Sequence, residues 1–141
     1  MAAYLQVANI KKEYNISRTE TQKVLRDISV EFKPGELVAL LGESGSGKST
    51  LINILGGLDT NYTGSVILNG EFLKDYTERQ MDDYRKKRVG MIFQSYNLIS
   101  NMTVLDNVKI AMKMSGVDEN IQTERAVNLL KVVKMDLAAA K

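Results

Sequence analysis

Nine consecutive residues carry the densest chemical information in this chain: Gly42, Glu43, Ser44, Gly45, Ser46, Gly47, Lys48, Ser49 and Thr50. They fit G-x-x-x-x-G-K-[ST], a spacing suited to gripping the phosphates of a nucleoside triphosphate. Gly42, Gly45 and Gly47 let the backbone turn so that successive amide N–H groups face inward as a concave anion nest. The helix expected to follow points its positive dipole end at the same spot. Lys48 supplies a mobile full charge for the β- and γ-phosphates, and Ser49 a hydroxyl for the Mg²⁺ that bridges them. A glycine-rich turn that merely contains a lysine is the bland alternative. A strand immediately before the loop and a helix immediately after it favour nucleotide binding.

The flanking sequence supplies that context. Glu36 to Leu41 is apolar at nearly every position after Glu36, as expected of a central strand covered on both faces of a parallel sheet. Lys48 to Leu58 places Leu51, Ile52 and Leu55 on one side of a helix. Upstream, Tyr4 to Ile10 reads as a first strand and Leu25 to Phe32 as a second. Ile28, Val30 and Phe32 alternate there with Ser29 and Glu31. The polar stretch Lys11 to Lys23 separates them, and Pro34-Gly35 is a turn.

Downstream, Ser65 to Leu68 and Glu71 to Leu73 flank Asn69-Gly70, a hairpin signature. Thr77-Glu78-Arg79-Gln80 is a capping box opening a charged helix to about Arg88. Val89 to Phe93 is a second buried-type strand ending at Gln94. Two helices follow, from Thr103 to near Gly116 and from near Asp118, the latter carrying Ile121, Val127, Leu130 and Val133. Arg85 to Arg88 reads as a solvated helix face. Met112 and Met114 read as packing and surface residues, and Asp118-Glu119 as a helix start.

Composition narrows the classes without choosing among them. The 141 residues amount to about one domain. A hydrophobic content of 44% and a charged content of 26% are those of a soluble globular chain. The absence of cysteine excludes disulfides and thiolate metal sites and suits a reducing compartment. The longest apolar run, Leu37 to Leu41, is far short of the ~20 residues that span a bilayer. Met1 to Gln6 lacks the basic-then-apolar order of a secretion signal. A net charge of +2 gives no argument for nucleic acid.

Other stretches point to one branch of the phosphate-loop proteins. Val89 to Leu98, reading VGMIFQSYNL, closely resembles the Q-loop of ATP-binding cassette (ABC) ATPases. Lys12-Glu13-Tyr14 resembles their A-loop. Leu55 to Asp59, Gly64, and Met102 to Val108 are similar to the same family, and most similar to the ATPases paired with lipoprotein-release, macrolide and antimicrobial-peptide transporters. The likeness runs from Tyr4 to about Leu137. It implies that Tyr14 stacks on adenine, and that Gln94 reaches the Mg²⁺ and the attacking water and couples the site to the membrane partner. The bland alternatives are a surface tyrosine at Tyr14 and a polar strand end at Gln94.

The resemblance further implies an α/β fold: a phosphate-loop NTPase core with an antiparallel β subdomain and core over residues 1–94, and the Q-loop and start of a helical subdomain over 95–141. It implies ATP and Mg²⁺ as cofactors, with a membrane-spanning transporter subunit and a second ATP-binding subunit as partners. The location it implies is the cytoplasmic face of a membrane.

Several groups that the family's chemistry needs are absent. The chain has no histidine and no Leu-Ser-Gly-Gly-Gln, and its one Gly-Gly pair is Gly56-Gly57. No run of four apolar residues ends in Asp-Glu; Val132-Val133-Lys134-Met135-Asp136 is interrupted by lysine and reads as the continuation of a helix. The expectation is an incomplete ATPase domain, ending before the signature motif, that binds nucleotide without hydrolysing it. In the family, strands from that further part separate those at 37–41 and 89–93, so the isolated chain is expected to be marginally stable or self-associating. A stand-alone nucleotide-binding module is the alternative. A small phosphate-loop kinase is a poorer one, since Tyr96 to Gly116 offers no arginine for a lid.

Overall fold

The computed structural model describes residues 4–135. The readings placed on the first three residues and on Asp136 and Leu137 lie outside the described residues. The chain divides into two compact units, residues 1–89 and 90–141.

The first unit is built on a four-stranded antiparallel sheet of order β2-β1-β3-β4. Its strands are β1 (Leu5–Asn15), β2 (Thr21–Phe32), β3 (Thr63–Leu68) and β4 (Glu71–Phe72), with helices α1 (Lys48–Leu55) and α2 (Glu78–Lys87). Val7, Ile10, Leu25, Val66 and Leu68 from the sheet pack with Leu51 and Ile54 of α1 and Met81 and Tyr84 of α2. Ile10, Ile54 and Val66 are sealed from solvent. Each such side chain contributes roughly 1.5–3 kcal/mol relative to exposure.

β1 and β2 extend well beyond their apolar stretches. Pairing continues from Lys11↔Arg26 to Asn15↔Thr21, through residues whose polarity reads as a connection. Backbone hydrogen bonding does not depend on side-chain polarity, and it holds here even where Lys11 faces the like charge of Arg26. Glu13 lies opposite Lys23, with an ion pair at 3.7 Å, the favourable cross-strand combination. The hairpin expected at Asn69-Gly70 is present: both residues have positive φ, 50° and 87°, and Leu68 pairs with Glu71. The capping box is also present, with Thr77 Oγ1 accepting from the Gln80 N–H and Gln80 Oε1 from the Thr77 N–H.

α1 is shorter than its apolar pattern suggests. It ends at Leu55, and Gly57 takes a left-handed turn at φ 68°, the usual role of a glycine just past a helix end. Its buried face is Leu51 and Ile54, while Ile52 is exposed. Arg85 is not part of a solvated face. Its guanidinium donates to the Gly57 carbonyl at 2.9 Å.

Two expected strands do not form. Residues 37–41 have no strand structure, Leu37 is fully exposed and Leu41 is 90% exposed; only Leu40 packs on the core. Residues 90–93 are likewise irregular, with Ile92 fully exposed. A buried strand needs ladder partners for its N–H and C=O groups, and neither segment has one among the described residues. The parallel layer read from these two runs is therefore not part of the described structure.

In the second unit, α3 (Val104–Met114) and α4 (Glu119–Val132) pack together. Thr103 and Asp118 cap them by accepting from the Asp106 and Asn120 N–H groups. Asn107 pins the preceding loop: its Oδ1 accepts from the Ile99 N–H at 2.8 Å, and its Nδ2 donates to the Ile99 and Thr103 carbonyls. Met112 is buried and Met114 exposed. The inner face of α4 is Gln122, Ala126 and Leu130, whereas Ile121 and Val133 are exposed. α4 ends at Val132, and Lys134 takes φ 56°, so the helix does not run on through Met135.

Candidate nucleotide-binding site

The loop at 42–47 leads directly into α1. Gly47 caps the helix in a left-handed conformation, φ 92°, without a side-chain hydrogen bond, and no acidic residue occupies the first turn. Several N–H groups at a helix start have no partner within the helix. Here the cap residue makes no side-chain bond to them, and no carboxylate lies in the first turn.

Gly47 is also the point of closest approach to the sheet. A Cβ there would lie 2.8 Å from Leu25 Cδ2 and 3.0 Å from the Val24 carbonyl oxygen. At Gly45, φ 79°, nothing lies within 4 Å of such an atom, so that glycine faces open space. The Lys48 ammonium curls back over the loop. Its Nζ donates to the carbonyl oxygens of Gly42 at 2.9 Å and Glu43 at 2.6 Å, and approaches Ser46 Oγ at 3.4 Å. The loop is thus closed around a cation, and its outer residues Glu43, Ser44 and Ser46 are exposed. Ser49 is exposed on the first turn of α1 and Thr50 is half-buried. This donor set suits a polyphosphate with a divalent cation: amide N–H groups, one ammonium and one hydroxyl.

Tyr14 lies near the end of β1 and is 42% exposed. Its hydroxyl donates to Asp59 Oδ2 at 3.2 Å, and the Lys12 ammonium sits 4.8 Å from its ring centroid. Lys12 itself is buried, pairing with Asp59 at 2.7 Å and donating to the Asn61 carbonyl. Burial, the largest influence, raises the Asp59 pKa, but it is outweighed by the Lys12 ammonium, the Asn61 N–H and the Tyr14 hydroxyl. They hold the carboxyl below its ordinary value. Sequence reasoning includes Lys12 and Asp59 in family-like segments without pairing them. The signal was spacing: Lys12 sits two residues from Ile10, on the inward face of β1, where a lysine requires a buried partner.

Gln94 belongs to the second unit. It is exposed and begins a turn in which Tyr96 and Asn97 have positive φ, 57° and 50°. The Asn97 N–H donates to the Ser95 carbonyl. Among the described residues no helix is long and apolar enough to cross a membrane.

Comparison with known proteins gives one consistent result. The ABC transporter family model matches residues 25–140. An uncharacterized ABC transporter ATP-binding protein of Mycobacterium tuberculosis is 40% identical over 131 residues, which cover 93% of this chain and 52% of that protein. The macrolide export ATP-binding/permease protein MacB of Mannheimia succiniciproducens is 42% identical over 116 residues, covering 82% and 18% respectively. Among solved structures, a dimeric post-hydrolysis state of the ATP-binding cassette MJ0796 bound to ADP and Pi superposes with a TM-score of 0.85. It is 29% identical and covers 96% of this chain and 60% of that one. The chain therefore spans about half the length, or less, of these curated relatives.

Proposed function

This chain belongs to the ABC transporter family, and we propose that residues 42–50 bind the triphosphate of ATP within a transporter's ATP-binding cassette. The observation that carries the reading is the loop itself. Lys48 closes it from one side, and the α1 start opens into it with no side-chain bond from its cap residue. Ser49 and Gln94 are the residues assigned to Mg²⁺, which when bound neutralises charge between the β- and γ-phosphates. Tyr14 is assigned to the adenine ring.

Hydrolysis and transport are properties of a larger assembly in this reading. The 141 residues hold no histidine, no Ser-Gly-Gly-Gln and no apolar run ending in Asp-Glu. The groups that would orient the attacking water and complete the charge clamp thus come from elsewhere. The assembly comprises a second ATP-binding copy and a membrane-spanning subunit that holds this chain at the membrane's cytoplasmic face. Dimeric neighbours and a relative named as an ATP-binding/permease protein support that arrangement. In the second unit, a groove of about 530 Å³ lined by Leu98, Val108, Ala111, Met112, Val117 and Leu129 is the surface assigned to the membrane subunit.

Calorimetric titration with Mg-ATP tests the binding step. Lys48→Ala is expected to abolish measurable affinity, since the triphosphate would then lack the one full positive charge the loop supplies. An unchanged dissociation constant in a folded Lys48→Ala protein would overturn the reading.

A further inference from the structure

A lysine that is only 5% exposed in a surface sheet calls for a reason, and its contacts supply one. We propose that Lys12 and Asp59 are positioning residues that hold the Tyr14 ring as a one-sided platform for the nucleotide base. The proposal rests on the reading of Tyr14 as the base-stacking residue.

Two contacts fix the ring. The Lys12 ammonium lies 4.8 Å from the centroid, a cation–π contact that occupies one face. The hydroxyl is tethered to Asp59 Oδ2 at 3.2 Å. Asp59 is itself immobile: Oδ1 accepts from Lys12 Nζ at 2.8 Å and from the Asn61 N–H at 3.0 Å, and its own N–H donates to the Asn53 carbonyl of α1 at 3.2 Å.

The ring is thereby referenced to the helix that opens at the phosphate loop. β1 and β2 link the same two places, since Lys12 pairs with Leu25, and Val24 and Leu25 are the residues against Gly47. With one face covered and the edge tied, the remaining exposure of Tyr14 leaves the opposite face for a flat aromatic ligand. A ring already fixed loses less rotamer freedom on stacking, which strengthens binding without any new contact.

A merely structural pair would hold β1 to the segment after α1 and would affect every ligand of the loop equally. The proposal makes a different demand: the pair acts through the base alone. The measurement is the ratio of Mg-ATP affinity to Mg-tripolyphosphate affinity in the full chain, because tripolyphosphate offers the loop its charge without a base. Tyr14→Ala is expected to lower that ratio about tenfold. Asp59→Asn and Lys12→Met are expected to lower it three- to tenfold, and Tyr14→Phe, which keeps the ring and the ion pair, about threefold, with tripolyphosphate affinity unchanged throughout.

If Tyr14→Ala leaves the ratio unaltered, the base-platform reading fails and the inference with it. If Tyr14→Ala lowers the ratio while Asp59→Asn, Lys12→Met and Tyr14→Phe do not, the platform stands and the positioning role is overturned. Should the two ion-pair variants lose tripolyphosphate binding through loss of fold, Tyr14→Phe decides. A lowered ratio supports the tether, and an unchanged one refutes it.

Discussion

Replacing Gly47 by alanine separates two costs that the phosphate loop imposes on its sequence. The first is conformational. Gly47 has φ 92°, where a Cβ costs about 1–2 kcal/mol. The second is contact. The added methyl would sit 2.8 Å from Leu25 Cδ2, 3.0 Å from the Val24 carbonyl oxygen and 3.2 Å from Val24 Cγ1. The leucine terminus can rotate away, but the Val24 carbonyl is β2 backbone, at the register irregularity between the Lys12–Leu25 and Glu13–Lys23 pairs, and it yields only if the strand shifts there. Overpacking of this kind costs about 1–3 kcal/mol.

Gly45→Ala supplies the internal control, because φ there is 79° and nothing lies within 4 Å of the added atom. It should carry only the conformational cost. Gly47→Ala is therefore expected to be less stable than Gly45→Ala by about 1–3 kcal/mol, seen in urea denaturation as a lower midpoint with the same m-value. For a unit of this size each kcal/mol lowers Tm by about 4–8 °C. Coincident denaturation curves for the two variants would refute the claim that β2 presses against the loop at Gly47.

Two further outcomes follow from other parts of the first unit and from the irregular segments. The Asp59 carboxyl is held below its ordinary value by the Lys12 ammonium and its hydrogen bonds, so its contribution is fully present above the ordinary carboxylate range and is lost as pH falls through the lower folded pKa. Asp59→Asn should flatten the acid end of the stability profile below about pH 4 and leave its slope between pH 5 and 8 unchanged; an unaltered acid limb would count against the pair. The exposure of Leu37, Leu41 and Ile92 predicts that the 141-residue chain self-associates, and that Leu37→Lys with Ile92→Lys suppresses this in sedimentation velocity. A wild-type monomer at every concentration would contradict it.

What the sequence discloses depends on whether the cause is local. Asn69-Gly70 and Thr77-x-x-Gln80 specify their own backbone, through left-handed geometry and a reciprocal cap, so both were legible. The phosphate loop is likewise a local pattern. Residues 37–41 and 90–93 are different, because a buried strand is defined by its neighbours, and an apolar run cannot state which chain supplies them. The Lys12–Asp59 pair, 47 residues apart, was hidden for the same reason. Only the phase of Lys12 with Ile10 hinted at it.

The tail of α1 carries a final consequence. Tyr84 donates its hydroxyl to the Leu55 carbonyl and Arg85 its guanidinium to the Gly57 carbonyl. Burial is the main cause of a Tyr84 pKa raised to about 12, so the phenol stays protonated and keeps that bond at neutral pH. With the negative pole of the short helix compensated at its far end, the uncompensated pole faces the glycine turn. Electrically, the element resembles a battery with one terminal insulated, and α2, remote from the glycine turn in sequence, becomes part of what leaves that turn the positive end.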